Sequence, residues 1–363
     1  MDGVLFSLLA IVLFVIVLGG IVLVHELGHF LTARALNVRV LEFGFGFPPR
    51  AKVLRTKGET MLTLNWLPIG GFVRMDGEDG DAEDDPRSFS AKSLRVRLTI
   101  LVAGVVMNIV LAFVIFFALA LAAWPVVGVK IGSVEAGSPA QAAGLQVGDE
   151  IYQVNGQRYE MFGETNVVEG LRANAGKTVT LDVLRTDGKR ETVTATLRPL
   201  SDTGPTRGAL GVSQLLQSYS GEYVGHDPGT SVGIAVDQLT YWGGLILTGL
   251  GDLVSGFIND PTAQPPAQGP IGIAVSLADL LLTSGPILTL FVAGILSVNL
   301  GVVNILPFPP LDGGRMAMLV IKRFFGSRVS LRAERLTYAV GFVFLLAFVF
   351  WISGFDIANL GSR

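Results

Sequence analysis

Hydrophobic residues in this chain run in long unbroken stretches. Residues 4–24 (VLFSLLAIVLFVIVLGGIVLV) pass 21 positions without a charge. Residues 98–124, 285–306 and 336–352 repeat the pattern, the last being the shortest. About 20 apolar residues in a helix cross roughly 30 Å of hydrocarbon, so each stretch predicts a membrane span. The first does not read as a signal peptide. The chain opens Met1-Asp2-Gly3 without a basic residue, and no clear cleavage site follows. It reads as a retained helix.

Between the spans the period changes. Residues 41–47 and 60–75 are apolar, β-like and rich in Gly and Phe. Such segments suit β structure dipping beside the helices under cover of protein. Residues 76–86 are acidic and read as a solvated loop rather than a cation site. Residues 126–133 and 178–185 alternate like strands, and Asp187-Gly188 is a hairpin turn before a further strand at 191–197. Residues 201–230 are rich in Gly, Ser and Thr and read as a linker. Residues 231–258 are moderately apolar, with Asp237 and Asp252 set into the pattern. They suit a helix at the interface or against the bundle better than a fifth span. The proline-rich stretch 260–270 predicts a loop.

The predicted fold is a polytopic α-helical membrane protein with four transmembrane helices, a membrane-associated β-hairpin and an inserted α/β domain. Residues 1–124 form the first half of the membrane core, with a cytoplasmic β-like loop at 37–96. Residues 125–200 form the inserted domain, 201–284 a linker and interfacial helix, and 285–363 the second half of the core. Basic residues orient it. Residues 34–97 hold eleven Lys or Arg and 315–335 hold six, whereas 125–284 hold nine against sixteen acidic residues. The positive-inside rule puts the two basic loops in the cytoplasm and both termini and the inserted domain outside.

Composition sharpens this picture. Half of the 363 residues are hydrophobic and only 16% are charged, against roughly 25% in ordinary globular domains. The net charge is -3, so no global basic surface attracts nucleic acid. Absence of cysteine removes thiol catalysis, disulfides and Cys-ligated metals. Only three histidines occur: His25, His29 and His226.

Two of them close the first apolar helix in the sequence His25-Glu26-Leu27-Gly28-His29. Residues i and i+4 share a helix face, so both imidazoles can reach one ion. Zinc suits two imidazoles plus a carboxylate with one position open to water. Glu26 can serve that water as general base. A plainer reading makes these three groups a polar cap at the interface. Ionisable groups in a span are costly and usually functional, which favours the metal. His226 falls outside, in the linker, and reads as a surface histidine. The better third ligand follows the third span, where Pro307, Pro309 and Pro310 break the helix before Leu311-Asp312-Gly313-Gly314. Asp312 lies at the same membrane level as the histidines.

His-Glu-Leu-Gly-His on a first membrane helix, with Asn304-x-x-Pro307-x-Pro309-x-Leu311-Asp312-Gly313-Gly314 downstream, resembles the site-2 protease family. Gly269-Pro-Ile-Gly-Ile273, Gly70-Gly-Phe-Val-Arg-Met75, the 43–47 segment and Asp85-Pro-Arg-Ser-Phe89 are similar to its bacterial regulator-of-sigma-E branch. The resemblance implies an intramembrane zinc metalloendopeptidase with one zinc per chain. His25, His29 and Asp312 would be ligands and Glu26 the catalytic base. It also implies that 60–75, with Gly70, Gly71 and Phe72, form a membrane-associated β-hairpin near the active site. Val105 stands where such proteins usually carry proline, and Asn108 is kept. Residues 131–156 resemble a permuted PDZ domain with 125–128 as its binding loop. Such a domain would bind peptide ends or filter substrates by size.

On this reading a substrate helix unwinds against the 60–75 edge by strand addition. Substrate-binding candidates are Gly70, Gly71, Phe72, Pro307, Pro309, Asn299 and Asn304. The two amides would bond the unwound backbone or the oxyanion, or else simply pack between helices. Substrates implied by the resemblance are single-span proteins already trimmed by another protease, such as anti-sigma factors, or remnant signal peptides, in a bacterial cytoplasmic membrane. No nucleic acid partner is expected. A metal transporter would need polar groups at the midplane of several spans, and spans one and four lack them. An inactive PDZ scaffold would be expected to lose Glu26 or a ligand, and all are present.

Overall fold

The computed structural model describes residues 3–78, 85–161, 165–204, 207–260, 262, 264–265, 267–326 and 330–361. The chain begins with α1 (Gly3–Ala35), β1 (Val40–Lys57), β2 (Thr60–Met75) and α2 (Leu94–Ala122). It continues with β3 (Trp124–Lys130), β4 (Ser133–Val134), α3 (Pro139–Ala142), β5 (Glu150–Val154), β6 (Gln157–Glu160), α4 (Val167–Ala173), β7 (Thr178–Leu184) and β8 (Arg190–Thr196). It ends with β9 (Val212–Ser213), β10 (Leu216–Val224), α5 (Pro228–Asn259), α6 (Pro270–Asn304), α7 (Asp312–Phe325) and α8 (Leu331–Gly361). Two compact units result, one from residues 1–117 with 232–363 and the other from 118–231.

The first unit is a bundle of long apolar helices. Among the described residues five helices are long and apolar enough to cross a membrane: α1, α2, α5, α6 and α8. The four expected spans are among them. The fifth, α5, is the least apolar of the set, and this is the segment expected to lie at the interface. The third expected span also begins differently. Helix already runs from Pro270, and Gly285 breaks it with φ 82°, a conformation that only glycine adopts readily, just before Pro286. Without a hydrophobic drive between lipid-facing helices, packing rests on small residues that let backbones approach. Gly28 of α1 lies against the Ala103 carbonyl of α2. Gly294 and Gly301 of α6 lie against Phe116 and Ile109 of α2. At the start of α6 the amides of Gly269 and Gly272 donate to buried Asp356 of α8 at 3.1 and 2.9 Å, a carboxylate set against a helix N-terminus.

β1 and β2 bear out the expected β character of 41–47 and 60–75, but their pairing is more than a simple hairpin. Phe43, Gly44 and Phe45 pair with Val73, Phe72 and Gly71 on one edge and with Leu62, Thr63 and Leu64 on the other. The first leg of β1 therefore lies between the two halves of β2. Among the described residues, the strand pairings of 71–75 run to 40–45 alone, so the opposite edge of that leg is open. Trp66, Leu67, Leu54 and Phe47 are exposed on this sheet. Its base joins Ala33, Ile100, Leu101 and Phe89 in a buried cluster that Met316 and Leu319 of α7 complete. Residues 79–84 of the acidic run lie outside the described residues. Glu78, read as solvated, instead points inward and pairs with Arg315.

The second unit is a six-stranded sheet in the order β10-β3-β6-β5-β7-β8. The strands expected at 126–133, 178–185 and 191–197 are β3, β7 and β8. Two expectations fail. Residues 216–224, read within a linker, form β10 beside β3; Ser218, Ser220 and Gly221 hide a strand whose partner is distant in sequence. Residues 125–128 are not a loop but the middle of β3, paired to β10 on one side and, at Val126 and Val127, to β6 on the other. Trp124 anchors this unit, fully buried with Nε1 donating to the Met161 carbonyl at 3.0 Å.

Candidate metal centre

The helical spacing of His25 and His29 puts both rings on the buried face of α1. Asp312 reaches them from the start of α7. Its position follows from the two glycines after it. Any side chain on Gly313 would enter the carbonyls of Ile305 and Leu306, and one on Gly314 would lie 2.6 Å from Pro309 N. The turn between α6 and α7 can therefore close tightly over the helix start and present the carboxylate.

His25 Nε2 lies 2.8 Å from Asp312 Oδ2, His29 Nε2 lies 3.2 Å from the same oxygen, and the two Nε2 atoms are 3.2 Å apart. Bonds of about 2.0–2.1 Å to a tetrahedral zinc set ligand atoms roughly 3.3 Å apart. These separations fit that edge closely, and two imidazoles with one carboxylate suit zinc chemically. This trio is the cluster of His, Asp and Glu among the described residues able to hold an ion.

Their far ring atoms are also held. His29 Nδ1 is 2.8 Å from the Ile100 carbonyl. That bond needs a proton on Nδ1 and leaves the Nε2 lone pair free for a metal. His25 Nδ1 is 3.2 Å from Asn108 Nδ2, while Asn108 Oδ1 is buried without a partner. Turning the amide end for end offers that oxygen as the acceptor His25 needs to ligate in the same way. Gly104 makes room for both rings. A Cβ there would stand 2.5 Å from His29 Nε2 and 2.7 Å from His25 Cε1. Asn108 and Gly104 are the site residues that the motif reading did not assign. Their four-residue spacing on a span beside a metal motif is the signal that could have found them.

A cavity of about 180 Å³ opens on this centre. Glu26, His29 and Asp312 line one side, Gly71 and Phe72 of β2 another, and Arg315 a third. Gly71 packs directly over Glu26, its Cβ position 3.7 Å from Glu26 Cγ. Gly70 lies one residue back, against Val22 of α1. Asn304 ends α6 with Nδ2 3.5 Å from His25 Nε2. Asn299, half-buried in the same helix, is five residues earlier, about 7.5 Å along the axis and turned roughly 140° from Asn304. Pro307 and Pro309 shape the turn before Asp312, with Pro309 packed on Gly341 of α8. His226 belongs to the other unit, 3.1 Å from Glu160 Oε2.

Comparison with known proteins agrees with this geometry. The sequence pattern of peptidase family M50 matches residues 13–348. The zinc metalloprotease RasP of Geobacillus kaustophilus is 30% identical, covering 97% of this chain and 98% of its own. Two candidate zinc metalloproteases are similar to the same degree. One, from Clostridium acetobutylicum, is 30% identical over 97% of this chain and 98% of its own. The other, from Clostridium perfringens, is 31% identical over 93% and 95%. The chain is a membrane protein and a metalloendopeptidase, and it belongs to peptidase family M50, the site-2 protease family.

Proposed function

We propose that this chain is a zinc-dependent intramembrane endopeptidase making site-2 cuts in single-span membrane proteins, in regulated intramembrane proteolysis. The observation that carries the reading is one cavity bounded by the metal donors His29 and Asp312, by Glu26 and by an open strand edge. His25, His29 and Asp312 hold one zinc ion. Zinc bound there would polarise the scissile carbonyl and lower the pKa of water to about 7. Glu26 takes a proton from the attacking water and returns it to the leaving amide nitrogen as the C–N bond breaks. Asn304, its amide nitrogen 3.5 Å from His25 Nε2, donates to the carbonyl oxygen as charge grows on it.

A helical peptide bond is shielded by its own hydrogen bonds. The open edge of 71–73 supplies main-chain partners for an unwound substrate, with Gly70, Gly71 and Phe72 setting how closely it approaches. Pro307 and Pro309 wall the substrate path. Exposed Trp66 and Leu67 support a hairpin dipping into the membrane. The basic loops 34–97 and 315–335 support a cytoplasmic active-site end in a bacterial cytoplasmic membrane, with α5 at the interface and four spans. The second unit is read as an extracytoplasmic PDZ domain, binding or excluding peptide ends of pre-trimmed substrates such as anti-sigma factors or remnant signal peptides.

The test compares wild type with Glu26→Gln in detergent, on a single-span substrate with a short outer stub, measuring zinc in each sample. Cleavage within the span should fall by about 10²–10⁴ in the variant, the usual worth of general base catalysis, with zinc near one per chain in both. Equal cleavage at equal zinc content would remove Glu26 from the mechanism.

A further inference from the structure

The two walls of the catalytic cavity come from distant parts of the chain, and one acidic side chain joins them. β2 ends at Met75, and the chain then turns back on itself. Gly77 makes the turn with φ 70°, and a Cβ there would stand 2.8 Å from Ser88 Cβ. The turn returns Glu78 to the strand end, where its Oε2 accepts the Met75 amide at 3.1 Å. Its other oxygen, Oε1, accepts from the Arg315 guanidinium. Arg315 stands three residues beyond Asp312 in the first turn of α7, on nearly the same helix face. Glu78 thus ties the end of the open strand leg to the helix that carries the third metal donor. Both residues line the catalytic cavity together with Glu26.

We propose that Glu78 and Arg315 are positioning residues that hold the substrate strand at a fixed offset from the metal, and so set which peptide bond is cut. The inference rests on the strand-addition reading of the site. Main-chain recognition does not read the substrate sequence, so alignment of the scissile carbonyl depends on where the edge itself stands. An extended chain advances about 3.3 Å per residue. A misplacement of about 1 Å can already cost 10²-fold in rate, so an edge free to slide presents no bond well. Met75 also packs in the cluster that Met316 and Leu319 of α7 complete, but apolar contact is non-directional. A charge-assisted hydrogen bond from a guanidinium fixes distance and direction. One carboxylate serves both bonds, so a shift of either partner strains the other.

The experiment uses full-length protein in detergent and the single-span substrate with a short outer stub. Products are mapped by mass spectrometry, and zinc is measured in each sample. Wild type should cut at one bond. Glu78→Gln leaves one acceptor oxygen for two donors. Its zinc should stay near one per chain and its KM within about threefold of wild type, while kcat at that bond falls by about tenfold to 100-fold. New cuts should appear one or two residues away. Arg315→Met should do the same, and Arg315→Lys, which keeps a charged donor, should recover the single cut. Because the two side chains act through one contact, the double variant Glu78→Gln with Arg315→Met should be no slower than the slower single one. A side chain that only supported the fold would lower the rate and leave the cut in place. A single unshifted cut in both variants overturns the positioning role, as do losses that multiply in the double variant. A substrate left whole by wild type at full zinc content sinks the peptidase reading, and this inference with it.

Discussion

The two walls of the catalytic cavity are built differently. On the metal side each histidine is held at both ring nitrogens, by Asp312 on one and by Ile100 or Asn108 on the other. Gly104, Gly313 and Gly314 bring backbone so close that no side chain fits. On the strand side, 71–73 offer an open edge and the half-buried ring of Phe72. The contrast separates two tasks. Metal geometry tolerates little error, since displacing catalytic groups by about 1 Å can cost 10²-fold. If the site takes unwound helices of varied sequence, as proposed, it gains from main-chain recognition, which is indifferent to side chains.

The contrast is broken most directly by filling the space behind the histidines. Gly104→Ala puts a methyl group 2.5 Å from His29 Nε2. Cleavage should fall by about 100-fold or more, and zinc measured in the same purified protein should fall with it. Full zinc and full activity would mean that the rings move freely, and the metal wall would not be rigid.

Asn108 probes the same wall more gently. Asn108→Leu keeps the branched outline of the side chain and removes the acceptor for His25 Nδ1. Partners of this kind are worth about 10–100-fold in metal affinity. Competition with a chelator should show that loss, whereas Asn108→Asp, which keeps an acceptor, should recover most of it. Equal affinity in wild type and Asn108→Leu would leave the ring orientation to Asp312 and packing.

How far the sequence carried depends on whether a signal is local. His25, Glu26 and His29 were legible because a four-residue spacing on a helix is a local statement about one face. Asp312 was legible because prolines and glycines mark a turn at a matching depth. Asn108 and Gly104 lie on an apolar span whose periodicity does not say which face meets the histidines, so their roles needed the packing. The β character of 41–47 and 60–75 could be read, but the folding back of β2 on both edges of β1 could not, because strand pairing is set by partners far along the chain. The same reason hid β10, whose Ser- and Gly-rich sequence resembles a linker until β3 lies beside it. Glu78 sits in an acidic run whose composition suggests solvent; only Arg315, 237 positions on, explains why it turns inward.

The smallest effect belongs to the strand side. Phe72 lines the cavity beside Glu26, yet in the proposed mode a substrate strand would bond to the main chain of 71–73 rather than to the ring. Phe72→Ala leaves the pairing with Gly44 in place and removes contact area. We expect unchanged zinc content, an unchanged kcat to within a few-fold, and a KM raised by about tenfold or less, the scale of one partly buried side chain. Steady-state kinetics on two substrates with unrelated span sequences would show this. A similar KM shift for both would fit main-chain recognition, with the ring contributing only area. A large loss for one substrate and none for the other would show that Phe72 reads side chains. A fall in zinc content would be the more damaging outcome, because the strand edge would then support the metal wall, and the division of labour between the two sides would not hold.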